Sequence, residues 1–190
     1  MKNIFMVLVC LVVSFSFSAQ ASREKDSHEH GAANVMLAME GEKLQLNFEV
    51  PSESLIGFEH FPKSQDQRWY FNEAIKSLLE PSKLFSIPAD AECLLVGINV
   101  SQSLFAAKDE HGHEEKDEHG HDESDKSEIH SEFSSKYHWN CEHLDEIDSI
   151  ATQLMNIFPR IEEIRVRWIT KNNQGSIELE SKDDRIKGWK

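Results

Sequence analysis

The residues best suited to chemistry lie between Lys108 and Glu123, where one octapeptide is written twice: Lys-Asp-Glu-His-Gly-His-Glu-Glu, then Lys-Asp-Glu-His-Gly-His-Asp-Glu. The copies differ only at Glu114 against Asp122. Each sets two imidazoles around a glycine, His111 and His113 about Gly112, then His119 and His121 about Gly120. In an extended backbone residues i and i+2 point to the same side, and the glycine between them lets the chain fold around a small object. Two neutral imidazoles and a nearby carboxylate supply three of the four ligands that tetrahedral zinc wants. The repeat therefore reads as a metal-catching loop. A solvated charged linker with incidental histidines is the alternative, and the match of the two copies argues against it.

Further histidines extend the set. His28-Glu29-His30-Gly31 is a third His-x-His followed by glycine. Cβ atoms at i and i+2 lie about 6.6 Å apart in extended chain, close enough for one ion to bridge the rings. A frayed N-terminal tail is the competing reading there. His60 sits in an aromatic loop, Gly57-Phe58-Glu59-His60-Phe61-Pro62, where a packed, hydrogen-bonded imidazole competes with a ligand. His130 and His138 share the polar face of a predicted strand but stand about 26 Å apart along it. They cannot hold one ion together, and each needs a partner from a neighbouring strand or from the loop. With His143 these make ten candidate ligands, and Zn2+ is the candidate ion. Copper and nickel also bind imidazole, copper more tightly than zinc. The lack of a methionine cluster and of spare thiols argues against copper(I).

Charge points the same way. The chain has 190 residues and a formal charge of -14, with Asp+Glu 34 against Lys+Arg 20. Ten acids and three lysines fall between Lys108 and Glu128, a net of -7, so half the excess sits in one segment. Such a chain does not seek nucleic acid or an anionic membrane surface, and it does attract cations.

The start of the chain has the pattern of an export signal over residues 1–21. Lys2 precedes an apolar run from Ile4 to Phe17, and Ala19-Gln20-Ala21 is a small-x-small cleavage site. The run is too short to span a membrane, which takes roughly 20 residues. A mature chain from Ser22, periplasmic in location, is the expectation. Cys93 and Cys141 then remain, and an even pair in an oxidising compartment reads first as a disulfide, ahead of thiolate ligands or free buried thiols. The bridge would close a loop containing the whole repeat and hold the loop's roots together.

The elements that must position these groups follow from periodicity. Val35, Leu37 and Met39 alternate, Glu40-Gly41-Glu42 turns the chain, and Leu44, Leu46, Phe48 and Val50 alternate back. Ser64-x-x-Gln67 is a capping box for a helix with Phe71, Ala74, Ile75 and Leu78 on one face, leaving Trp69 and Tyr70 to core and rim. Leu94, Val96, Ile98 and Val100 alternate in a strand. Phe133, Ser135, Tyr137, Trp139 and Cys141 do so in another. Leu144, Ile147, Ile150, Leu154 and Phe158 predict a second helix opened by His143. A last hairpin joins Ile164, Val166 and Trp168 to Ile177 and Leu179. The expectation is an α+β fold, mainly antiparallel sheet with two helices. It forms a single domain over residues 22–190, carrying a long disordered His/Asp/Glu-rich insertion at 106–129.

The exported His-x-His-Gly start, Gly57-Phe58-Glu59-His60-x-Pro62, the His/Asp/Glu-rich insertion, and His130 followed by Tyr137-x-Trp139-x-Cys141 together resemble the ZrgA-type family of zinc-regulated periplasmic proteins. The resemblance covers essentially the whole mature chain. It implies a periplasmic zinc-binding protein that assists zinc acquisition beside an inner-membrane transporter, and it favours His28, His30 and His60 as ligands. A metal buffer for zinc, copper or nickel and an acidic interaction protein without a metal role stand as alternatives. No His-Glu-x-x-His, His-x-x-Glu-His or nucleophile elbow is present, so an enzyme is not expected.

Overall fold

Strict alternation builds the larger of two sheets. The computed structural model describes residues 29–103 and 131–190. The expected leader, His28, the repeat with its four histidines, and His130 lie outside the described residues. Strands β1 (Ala32–Glu40) and β2 (Lys43–Pro51) form the expected hairpin, closing at Glu40 opposite Lys43. Its turn uses Gly41 at φ 60°, a conformation that glycine adopts without the Cβ penalty. On β2 the residues Leu44, Leu46, Phe48 and Val50 are all buried, as period two requires.

Four more strands complete this sheet: β4 (Cys93–Gln102), β5 (Glu132–Cys141), β7 (Glu163–Thr170) and β8 (Gln174–Leu179). Their order is β4-β5-β2-β1-β7-β8. The β1–β7 pair is parallel and every other pairing among the described strands is antiparallel. A smaller sheet holds β3 (Phe85–Ser86), β6 (Ser149–Thr152) and β9 (Arg185–Lys187) in the order β3-β6-β9.

The core lies between one face of the large sheet and a layer of helices and the small sheet. Helix α2 (Gln65–Leu78) buries Ala74 and Leu78 and leans Phe71 on Phe133, ring centroids 5.6 Å apart. Ser64 accepts from the Gln67 amide at 3.1 Å, as a capping residue should, and the Gln67 side chain accepts from Lys63 rather than from Ser64. Tyr137 crosses the core and its hydroxyl donates to the Leu78 carbonyl at 2.8 Å. Near the C-terminus the Trp189 indole donates to the Ile147 carbonyl at 2.7 Å.

Three local expectations need correction. The apolar spacing from Leu144 to Phe158 does not build one helix: a 3-10 turn (Leu144–Glu146), strand β6 and the single turn α4 (Leu154–Ile157) take its place. Ile147, Ile150, Leu154 and Phe158 are buried all the same. Ile150 and Thr152 are β-branched, and β3 and β9, remote in sequence, supply the ladder that makes extension favourable.

Trp69 and Tyr70 are outside the core, 58% and 54% exposed. At 100° per residue Trp69 falls opposite the stripe that Ala74 and Leu78 bury. Strand β4 does not bury its alternating residues either. It is an edge, and a bulge between Leu95 and Gly97 moves Leu94 and Ile98 to opposite faces, leaving Leu94 70% exposed. The class nonetheless holds: α+β, chiefly antiparallel. Helix α2 is the single long helix among the described residues, with α1 (Ser52–Ile56), α3 (Pro81–Leu84) and α4 short. No described helix is long and apolar enough to cross a membrane.

Candidate metal centre

The histidines of the described domain divide between two ends of the large sheet and its middle. At one end the chain leaves toward the repeat and returns. Ser103 donates its amide to the Glu132 carbonyl at 3.0 Å, and the Glu132 amide donates to Ser103 Oγ at 2.8 Å. The next contact, from the Ser52 amide to the Ser131 carbonyl at 2.8 Å, ties the start of α1 to the same place. The insertion is therefore rooted beside α1.

His30 arrives at this end just before β1. Gly31, at φ 86°, is held by its amide donating to Ser54 Oγ at 2.8 Å and by its carbonyl accepting from the amides of Glu162 and Glu163. That holds the backbone next to His30, whose imidazole is largely exposed. His30 Nδ1 is 4.0 Å from Glu53 Oε2, and its Nε2 is 4.0 Å from Glu59 Oε1. Glu53 stands on α1, and Glu59 follows the Gly57 cap, whose amide closes the helix on the Glu53 carbonyl at 2.8 Å. Arg160 Nη1 is also 4.0 Å from Glu53, so a cation already shares that carboxylate. An imidazole with a carboxylate at each nitrogen suits zinc: one carboxylate can orient the ring through its N–H while the other joins the free nitrogen around the ion.

His60 has the packed, hydrogen-bonded setting that is one of its two readings. Its ring stacks on Phe58 with centroids 5.2 Å apart, and Nδ1 lies 2.8 Å from the Phe61 carbonyl oxygen. A carbonyl only accepts, so Nδ1 carries the proton in that bond and Nε2 keeps the lone pair that a metal would use. His138 is mid-sheet on the face away from the core, opposite Gln45 on β2 and Gly97 on β4. The register gives it no acidic or histidine partner directly across either neighbouring strand.

At the other end of the sheet Cys93 and Cys141 form the expected disulfide. Its position corrects one expectation. The bridge joins the strands that carry the insertion, but at the end far from the insertion's roots, which backbone and serine hydrogen bonds hold instead. Beside it Glu92, Glu142 and His143 bring a ligand atom each to within 4.8 Å of one another, all three residues exposed. The four carboxylates Glu53, Glu59, Glu92 and Glu142 escaped the sequence reading. A signal for two of them was present: with the cysteines paired, the acid before one and the acid-histidine pair after the other must meet.

Charge around the first end is partly internal. Arg165 is clamped by Glu29 and Glu163, and these carboxylates hold its guanidinium further above its usual range, Glu29 being the larger cause.

The fold and these clusters describe an α+β domain with imidazole–carboxylate groups at the ends of one sheet. A family model described as ZrgA family zinc uptake protein matches residues 27–188, and the chain belongs to that family. No curated protein matches it.

Proposed function

We propose that the protein is a periplasmic zinc-binding accessory of zinc acquisition. It captures Zn2+ with the twice-written acidic His-Gly-His segment, then holds the ion on the folded domain or passes it to an inner-membrane transporter. The observation that carries this reading is the position of His30 between Glu53 and Glu59 at the end of the sheet where the insertion is rooted. Membership of a zinc uptake family supports the identity of the ion.

The division of labour follows from ordering costs. A segment rich in carboxylates and imidazoles offers many ligands but must order them on binding, which favours several ions held weakly over one held tightly. A group positioned by β1, α1 and the Gly57 turn has already met most of that cost. High local negative charge draws the cation to the insertion first, and a better-built group near its root then competes for it. An exported location fits the leader pattern and the oxidised cysteine pair.

Calorimetric titration of the chain from Ser22 with zinc, beside variants lacking Lys108–Glu123 and carrying His30→Ala, tests the reading. Loss of more than one bound equivalent on deletion, with a tighter equivalent surviving and weakened by His30→Ala, is the expected result. Equal stoichiometry with and without the segment would remove the capture role.

A further inference from the structure

We propose that Glu92, Glu142 and His143 form a second zinc site, distinct from the His30 group and set beside the disulfide. The three ligand atoms lie within 4.8 Å of one another, one imidazole nitrogen and two carboxylate oxygens, with all three residues exposed. Around zinc, bond lengths of 2.0–2.2 Å place tetrahedral ligands about 3.3 Å apart, so modest side-chain rotation closes the set. Three protein ligands leave a fourth position for water, the arrangement of a site whose ion can exchange. Calcium and magnesium are hard cations that prefer oxygen, completing their shells with water, so the imidazole nitrogen of this group favours zinc over either.

The backbone beneath these side chains is held on every side. Cys93 and Cys141 are covalently joined, and Glu92 and Glu142 are their immediate neighbours. The Glu142 amide donates to the Glu92 carbonyl at 3.4 Å, and the His143 amide to the Ala91 carbonyl at 3.1 Å. Glu92 adopts φ 48° at the end of the 3-10 turn Ala89–Ala91, the one non-glycine residue with positive φ among those described. That conformation is unfavourable for glutamate, and it stands beside the acid and imidazole of the other strand. Two carboxylates brought this close repel, and a bound cation removes the repulsion.

Separation makes the site distinct from the His30 group. Strand β4 runs from Cys93 to Gln102, about 30 Å of extended chain, so an ion here cannot be shared with the insertion's roots or with His30 beyond them. The site thus adds to the capture proposed above rather than depending on it.

Amide NMR of the whole oxidised chain during zinc addition, with a parallel calcium addition, separates the possibilities. Zinc is expected to shift the amides of Glu92, Glu142 and His143. His143→Ala should abolish those shifts, leave the shifts around His30 in place, and weaken zinc at this end by at least roughly tenfold. Glu92→Gln with Glu142→Gln should do the same. Exchange of both cysteines for serine should weaken the site while sparing the His30 end; should that variant fail to fold, the two surface variants carry the test alone. Shifts elsewhere but none at residues 92, 142 and 143 would overturn this site and leave the capture reading standing. Equal shifts with calcium would overturn it too, reducing the group to an acidic patch. A chain unresponsive to zinc throughout would overturn both proposals.

Discussion

Cys93 and Cys141 face each other directly across the β4–β5 ladder, at the opposite end from Gln102 and Phe133, where the insertion begins and ends. The bridge closes a long segment, 48 residues in sequence separation. In the chain-entropy picture a loop of that length contributes about 4 kcal/mol by restricting the unfolded chain. Reduction should therefore lower the urea midpoint sharply while the large sheet still forms at low denaturant. Unfolding curves with and without a reductant measure it, and coincident curves would refute it.

Gly175 on β8 stands opposite Trp168 on β7, and a Cβ there would lie 2.4 Å from the indole. A Cβ on Gly188, at φ 123°, would also lie 2.9 Å from that ring. Trp168 in turn meets Trp189 edge-on at 6.2 Å, so the ring has little room to give. Gly175→Ala should cost about 1–3 kcal/mol by overpacking. Gly41→Ala, with nothing within 4 Å but φ 60°, should cost only the backbone strain of about 1 kcal/mol. Urea midpoints of the two variants separate crowding from strain.

What was legible in the sequence was periodic. The β1–β2 hairpin and β5 follow from alternation because one face of their sheet is buried, and α2 follows from its cap and its stripe. The stretch from Leu144 to Phe158 was not legible, because its apolar spacing fits a helix while its partners β3 and β9 come from distant parts of the chain. Edge position defeated the reading of β4: apolar residues such as Leu94 imply burial only where a neighbour covers them. For the metal groups the histidines were visible and their carboxylates were not. Glu53 and Glu59 meet His30 through the Gly31 and Gly57 turns, and Glu92 meets His143 where the β4–β5 pairing, the disulfide and the His143–Ala91 hydrogen bond join the strand ends.

Burial pushes the Tyr137 phenol up to about 12 from 10.0, because the charged form is poorly solvated in the core. The unfolded chain ionises near 10, so the contribution is fully present below that pH and is lost as pH rises toward 12. Stability should fall by about 2–3 kcal/mol across this window. Tyr137→Phe removes that part of the alkaline slope. It also takes the donor from the Leu78 carbonyl, which should cost about 1–2 kcal/mol at neutral pH. Unfolding of both forms at pH 7 and pH 11 measures the two effects, and a variant with the same alkaline slope would refute the assignment.

Zinc and protons compete for the same imidazole lone pair, whereas carboxylates remain ionised well below neutrality. An unperturbed imidazole titrates near 6.5 and carboxylates near 4, so acidification to pH 5 disables one ligand type and spares the other. Each histidine at a site should then weaken zinc by roughly tenfold or more between pH 7.5 and pH 5, and a site with two should lose the product. The Lys108–Glu123 segment, with two His-Gly-His pairs, should release its ions over a narrower pH range than a group with one imidazole such as His30 with Glu53 and Glu59. Zinc titrations at the two pH values, on the whole chain and on the chain lacking the segment, distinguish the two slopes. Retention of full affinity at pH 5 would mean that carboxylates alone hold the ion and that the histidines are bystanders.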